Sequence, residues 1–294
     1  MTSTSKNTDP DTAAAVIDQL AVVEGRDRLY EHYDTLRAAD PIHKSRHELF
    51  PDCWFISRHE DIDRILRDRR FVQDARNSEV FAGSEGAFAD MVSRILIFLP
   101  LGGPHERVRR LIYRAFTPNA VERRRERVEA VVRDLVAKVA GPGEFDLLND
   151  MLYELPMTVI CELLGATDEE RAQFTESFSQ QGHEVSDVGS ASEEQRRNAD
   201  RNVELFTVNA KEMVERHRSA PADDILTTLI QASDDGDQLS EDEVIAAIYI
   251  LFGAGYETTA NLLGNGLTYL LRDRPQWQRL TQHPELVPSA IEEL

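Results

Sequence analysis

The sequence predicts a mainly α-helical protein with one small β-sheet near its N-terminus. Three observations carry this. Helical periodicity runs through most of the 294 residues, Cys53-Trp54-Phe55-Ile56 is the one good strand candidate, and the longest apolar run, Val244 to Tyr256, follows a helix-start signal. The apolar and charged fractions are those of a soluble globular protein. A net charge of −20 argues against nucleic-acid binding. Two cysteines, Cys53 and Cys161, make no disulfide framework and suit a reducing, cytoplasmic setting. The N-terminus, MTSTSKNTDPDT, has neither a basic nor an apolar leader region, and the run 244–256 is too short to span a bilayer.

In chain order, residues 1–12 read as a disordered tail and 13–294 as one domain without a convincing linker. Periodicity places helices near 26–39, 59–68, 85–98, 104–115, 118–140, 149–164, 168–180, 192–218, 222–232, 240–272, 275–281 and 284–294. The strand at 53–56 is expected to pair with a short one around Ile42–His43. Leu286, Val287, Ala290, Ile291 and Leu294 form an apolar face that stops without a glycine, a basic turn or a cap, so the sequence reads as a fragment ending in mid-helix.

The stretch "GAGYETTANLLGNG", Gly253 to Gly266, breaks several local rules at once. Glycine inside a helix costs about 1 kcal/mol relative to alanine, and a buried carboxylate such as Glu257 has to be paired or protonated. One reading makes Gly253-Ala254-Gly255 a dinucleotide loop, with Asp273 the distant acid, but Thr258 stands where that fingerprint needs its third glycine. Ser240 and Glu243 form a capping box, which starts a helix instead. That helix, 241–272, is about 48 Å long at 1.5 Å per residue. Its nearly all-round apolarity predicts a central position. Leu251, Ala254, Gly255, Thr258 and Leu262 share one stripe, where small residues let something flat lie against the backbone. Thr258 can donate to the Ala254 carbonyl, opening the helix locally into a groove for water, with Glu257 beside it as a proton relay. A tight helix crossing with incidental polar groups is the alternative.

In "PLGGPHERVRRLIYRAFTPNAVERRRERV", Val108, Leu111, Ile112, Ala115 and Phe116 face inward and Arg107, Arg110 and Arg114 outward. His105 and Arg109, four apart, meet at the edge of the apolar face and could clamp a buried anion; snorkelling side chains on a surface helix are the alternative. Residues 105–127 hold eight arginines and three glutamates, a local +5 that suits an acidic partner.

Together these stretches resemble the cytochrome P450 family of haem-thiolate monooxygenases, in its soluble bacterial form. "GAGYETT" is similar to the family's Ala/Gly-Gly-x-Asp/Glu-Thr-Thr/Ser motif, and "GPHERVRRLIYRAFTP" to its Pro-x-His-x-x-x-Arg-Arg helix followed by Phe-Thr-Pro. "CWFISRHEDIDRIL", "VICELLGATDEE" and "LLRDRPQWQRLTQHPELVPSAIEEL" extend the likeness over nearly the whole chain. The resemblance implies the P450 fold lacking its C-terminal quarter, and a haem (heme b). His105 and Arg109 would bind its propionates, and Ala254 and Gly255 would lie over its distal face. Thr258 would hydrogen-bond bound oxygen and Glu257 would help renew protons. It also implies O2 as co-substrate, a small organic substrate, and electrons from NAD(P)H through a ferredoxin reductase and a ferredoxin docking near the arginine patch. No nucleic acid or membrane partner is implied. The family's iron-ligating cysteine would lie beyond Leu294, Cys53 and Cys161 match other positions, and the family's Glu-x-x-Arg pair would begin at Glu293. The missing ligand leaves a haem-free auxiliary or recruitment protein of the same fold as the rival expectation, with a helical small-molecule binding protein as a third.

His43 and His47, with Cys53 nearby, lack a fourth metal ligand, and the two histidines read as surface residues. The acidic "SDDGDQLSEDE" fails calcium-loop spacing and reads as a solvated turn. Stretches 72–97 and 180–200 match the family's substrate lid, and their composition gives mobile loops.

Overall fold

The computed structural model describes residues 9–21, 28–48, 50, 53–68, 70–71, 86–95, 103–113, 116–141, 143–179, 192–234 and 237–294. Where the sequence suggests one domain from residue 13, the chain forms two compact units, 1–73 and 74–294.

The first unit begins with a helix that periodicity alone misses. Residues 1–8 of the expected tail lie outside the described residues, but 10–12 are the first turn of α1 (Pro10–Leu20). The Asp9 carboxylate accepts from the Thr12 N–H (3.2 Å) and hydroxyl (2.6 Å), and Pro10 takes the position where a missing N–H costs nothing. Ala13, Val16 and Ile17 of α1 bury against Leu36 of α2 (Leu29–Ala39). The expected hairpin forms: β1 (Ile42–Lys44) runs antiparallel to β2 (Trp54–Ile56), with His43 opposite Phe55. Phe55 packs on the same small core, and α3 (His59–Arg67) follows. His43 is not a surface residue: it is buried and lies 3.0 Å from Asp40 Oδ2.

The second unit is helical. It comprises α4 (Ala87–Ile95), α5 (Gly103–Tyr113), α6 (Pro118–Glu122), α7 (Arg125–Val139), a π-helical turn (Leu148–Leu152), α8 (Glu154–Leu163), α9 (Asp168–Ser179), α10 (Glu193–Ser219) and α11 (Ile225–Gln231). A two-residue-strand hairpin follows, β3 (Ser233–Asp234) and β4 (Asp237–Gln238), then α12 (Glu241–Arg272), α13 (Arg274–Gln282), a 3-10 turn (Pro284–Leu286) and α14 (Val287–Glu293). The single helix expected over 118–140 breaks at Arg123-Arg124, where the Arg124 guanidinium donates to the Asp223 carbonyl at 3.0 Å. The acidic segment expected as a solvated turn forms the β3–β4 hairpin. Most of the expected lid stretches, 72–85, 96–97 and 180–191, lie outside the described residues.

The core is built around the first half of α12. Val244 to Tyr249 and Phe252 are buried, and Phe252 stacks on Phe174 of α9 with ring centroids 4.8 Å apart. Phe206 of α10 meets Phe174 at 5.2 Å and stands edge-on to Tyr249 at 5.0 Å. Each fully buried phenylalanine contributes about 1.5–3 kcal/mol. From α8, Met157, Ile160 and Cys161 complete this core.

The first turn of α12 carries three consecutive acids, and each meets an arginine of a different helix. Glu241 pairs with Arg218 of α10 (2.6 Å), Asp242 with Arg94 of α4 (2.5 Å) and Glu243 with Arg107 of α5. Carboxylates here also complement the helix dipole. Among the described residues no helix is long and apolar enough to cross a membrane, and no three His, Cys, Asp or Glu could together hold a metal ion.

Candidate functional site

The α12 helix starts where the sequence says. The Ser240 hydroxyl accepts from the Glu243 N–H (3.2 Å), and the Glu243 carboxylate accepts from the Ser240 N–H (2.8 Å). The helix then runs unbroken to Arg272. Its expected central burial is continuous over Val244–Tyr249 and reaches Phe252, and beyond that only Ala260 and Gly266 are buried. From Gly253 onward one side is open, and Gly253, Ala254, Glu257, Thr258 and Thr259 are exposed.

The Thr258 hydroxyl donates to the Ala254 carbonyl, as the spacing predicts. The helix nevertheless does not open there, because the extra bond is accommodated without loss of α-helical pairing. Glu257, expected as a buried carboxylate, is exposed and carries no desolvation cost.

The predicted stripe divides. A β-carbon at Gly255 would lie 2.8 Å from Ile160 Cδ1 of α8. The room a side chain would take at 255 is thus filled by a neighbouring helix. Gly264 and Gly266 serve similar close approaches, to Leu148 Cδ2 and Leu294 Cδ1, each 3.0 Å from a would-be β-carbon. Ala254, Thr258 and Leu262 remain on the open side. The motif therefore combines both readings of its small residues: a tight crossing on one side and an uncovered, small-residue surface on the other.

On α5, Val108 and Leu111 are buried and Ile112 packs against the core, as the wheel predicts. Arg109 is exposed and, among the described residues, has no carboxylate partner. The backbone of His105 lies in α5; its side chain lies outside the described residues, as do those of Arg114 and Ala115. Arg107 departs from its expected outward position. It is half-buried, paired to Glu243, and donates to the Gln238 carbonyl at 3.3 Å. Sequence reasoning missed this bridge, and only the acidic first turn of α12 hinted at it. The basic patch is partly neutralised within the fold, Arg125 by Glu122 (2.7 Å) and Arg127 by Glu162 (2.5 Å).

Among the described residues, α5 offers an exposed cation, Arg109, and α12 an exposed small-residue face at Ala254 and Thr258, the two kinds of surface that a flat anionic ring needs. Cys161 does not fit as a ligand for a metal at its centre. It is buried in the core, and desolvation pushes its thiol up to about 12, so it stays protonated at neutral pH.

Comparison with known proteins gives the family. The cytochrome P450 family profile matches residues 52–284. Cytochrome P450 107B1 of Saccharopolyspora erythraea is 36% identical over 96% of this chain and 69% of its own length. The mycinamicin IV hydroxylase/epoxidase of Micromonospora griseorubida is 33% identical over 89% of this chain and 64% of its own. Among solved structures, P450BioI in complex with a hexadec-9Z-enoic acid ligated acyl carrier protein superposes with a TM-score of 0.80 at 25% identity, covering 91% of this chain and 67% of that one. The chain belongs to the cytochrome P450 family. It spans 60–69% of the length of the curated relatives it matches.

Proposed function

We propose that this chain is the substrate-side portion of a haem-dependent P450 monooxygenase that hydroxylates a small organic substrate of secondary metabolism. The observation that carries the proposal is the open face of α12, where Ala254 and Thr258 are exposed while Val244–Tyr249 and Phe252 of the same helix are buried. Haem bound against that face would supply O2 activation, with one oxygen atom entering the substrate and the other leaving as water.

The chain's own residues divide the remaining work. Arg109 and His105 would hold the anionic propionates, Arg109 by a charge-assisted hydrogen bond. Ala254 limits side-chain bulk on the distal side. The Thr258 hydroxyl spends its proton on the Ala254 carbonyl, so its oxygen lone pairs face the open side as an acceptor. Glu257, in contact with solvent, exchanges protons between bulk water and the groove. Electrons come from NAD(P)H through a ferredoxin reductase and a ferredoxin attracted to the arginines of α5–α7, in the cytoplasm. Relatives named as a mycinamicin IV hydroxylase/epoxidase and a 6-deoxyerythronolide B hydroxylase support a secondary-metabolite substrate.

A second reading is a haem-free auxiliary protein of the same fold; the observation behind it is that Cys161 is buried in the core with its thiol pushed up to about 12. Spectroscopy separates the two. The gene product purified from its own organism, reduced and exposed to carbon monoxide, is expected to show the long-wavelength Soret band of a thiolate-ligated haem. A preparation that carries no haem, or haem without that band, assigns the auxiliary role.

A further inference from the structure

We infer that Arg107 is a positioning residue that sets the rotation of α5, and so the direction in which Arg109 is presented, by docking on the cap of α12. The inference rests on the haem reading above for its functional consequence, and on the Arg107–Glu243 contact for its structure.

Glu243 divides its carboxylate between two tasks. One oxygen, Oε2, accepts from the Ser240 N–H and closes the capping box; the other, Oε1, receives the Arg107 guanidinium. The guanidinium also reaches the Gln238 carbonyl of β4 at 3.3 Å. Arg107 is thus fixed to the strand that precedes α12 and to the first turn of α12 itself.

Of the three ion pairs in that turn, this is the most buried, with side chains 27% and 16% exposed. The pairs at Glu241 and Asp242 are open to solvent, where screening leaves little net effect. A forked guanidinium held at two points resists rotation better than one exposed contact. Two residues along a helix turn about 200°. Pinning Arg107 to α12 therefore turns Arg109 to the side of α5 away from that contact. The buried pair Val108 and Leu111 restricts tilt, and Arg107 restricts rotation about the helix axis.

The test uses Arg107→Gln, Glu243→Gln and their double variant, with Arg107→Lys as the conservative change. Glutamine at 243 keeps one oxygen to accept from the Ser240 N–H, while the charge and the acceptor facing Arg107 are lost. Thermal midpoints are expected to show coupling, with the double variant no less stable than the worse single one. Haem release from the holoenzyme is expected to quicken by roughly tenfold in each single variant, the scale of one charged hydrogen bond. Arg107→Lys should recover part of that loss. A residue that only stabilises the fold would leave the effect of Arg109→Gln on haem release unchanged. A positioning residue makes Arg109→Gln nearly silent in the Glu243→Gln background. Additive midpoints, or an undiminished Arg109→Gln effect, overturn the inference alone. Coupled midpoints with no dependence of haem release on Arg109 overturn the haem reading, and this inference with it.

Discussion

His217 and Asp224 form a buried pair whose geometry requires two protons. His217 Nε2 lies 3.1 Å from Asp224 Oδ2, and Nδ1 lies 2.8 Å from the Met213 carbonyl. Neither oxygen has a hydrogen to give when the carboxylate is ionised, so both ring nitrogens carry one. Asp224 also caps α11 through the Thr227 N–H at 2.6 Å. The pair joins the end of α10 to the start of α11.

A pH dependence follows. Burial works against the imidazolium, but the hydrogen bonds to Asp224 and the Met213 carbonyl outweigh it and raise His217 above its ordinary 6.5. Burial likewise works against the Asp224 carboxylate, and its bonds to His217 and Thr227 outweigh that and hold it below 3.8. The His217 contribution is therefore complete below pH 6.5 and is lost as pH rises through the raised folded value. The Asp224 contribution is complete above pH 3.8 and is lost as pH falls through the lowered folded value. Unfolding midpoints measured from pH 6 to 9 are expected to fall, and His217→Gln to flatten that slope. An equal slope in the variant would remove the pair as its source. Breaking the pair with His217→Ala should cost about 3–5 kcal/mol.

Gly165 lies beneath the same pair. Its φ is +70°, and a β-carbon there would fall 2.4 Å from Asp224 Oδ2 and 2.9 Å from His217 Nε2. Gly165→Ala combines an unfavourable backbone conformation with a clash against a packed ion pair. We expect a loss of about 2–4 kcal/mol in urea unfolding, with most of the His217-dependent pH slope lost as well. A loss below 0.5 kcal/mol would mean that the turn yields freely.

Gly255→Ala opposes two effects. Helix propensity favours alanine by about 1 kcal/mol, while contact with Ile160 Cδ1 at 2.8 Å costs about 1–3 kcal/mol. In the native background the substitution should be neutral to destabilising. In an Ile160→Val background, which removes Cδ1, it should stabilise by about 0.5–1 kcal/mol. Thermal denaturation of the four proteins decides this, and the same sign in both backgrounds would refute the crossing as the reason for glycine.

Thr258→Ala is expected to change stability by less than about 0.5 kcal/mol, since the residue is exposed. In the complete enzyme it should uncouple electron consumption from product, read as peroxide released per NAD(P)H oxidised. Arg109→Ala should weaken haem retention by about 1.5–3 kcal/mol. Full coupling in the first variant, or unchanged retention in the second, would remove that residue from its proposed role.

Local signals were legible in the residues and long-range ones were not. The Ser240–Glu243 cap, the Thr258–Ala254 bond and the β1–β2 hairpin each join residues within one element or between near neighbours. The pair Asp9-Pro10 also announced α1, although the polar tract before it suggested a tail. What a helical wheel cannot say is which side a distant helix covers. Ile160 meets Gly255, and Glu243 meets Arg107, across long spans of sequence that periodicity does not constrain. The wheel grouped Gly255 with Ala254 because they are adjacent on one stripe, and α8 separates them by packing against only one. Glu257 was read as buried for the same reason: its helix is apolar, but the apolar neighbours on that side are not covered.

The division of α12 at Phe252 has an evolutionary consequence. Upstream of it, replacements must preserve a packed volume shared with three aromatic rings. Downstream, positions such as Ala254, Thr258 and Leu262 can be exchanged without disturbing that packing. A lineage could therefore diversify its chemistry along one exposed stripe of a single helix while inheriting the architecture through its packed positions, Gly255 and Ala260 among them.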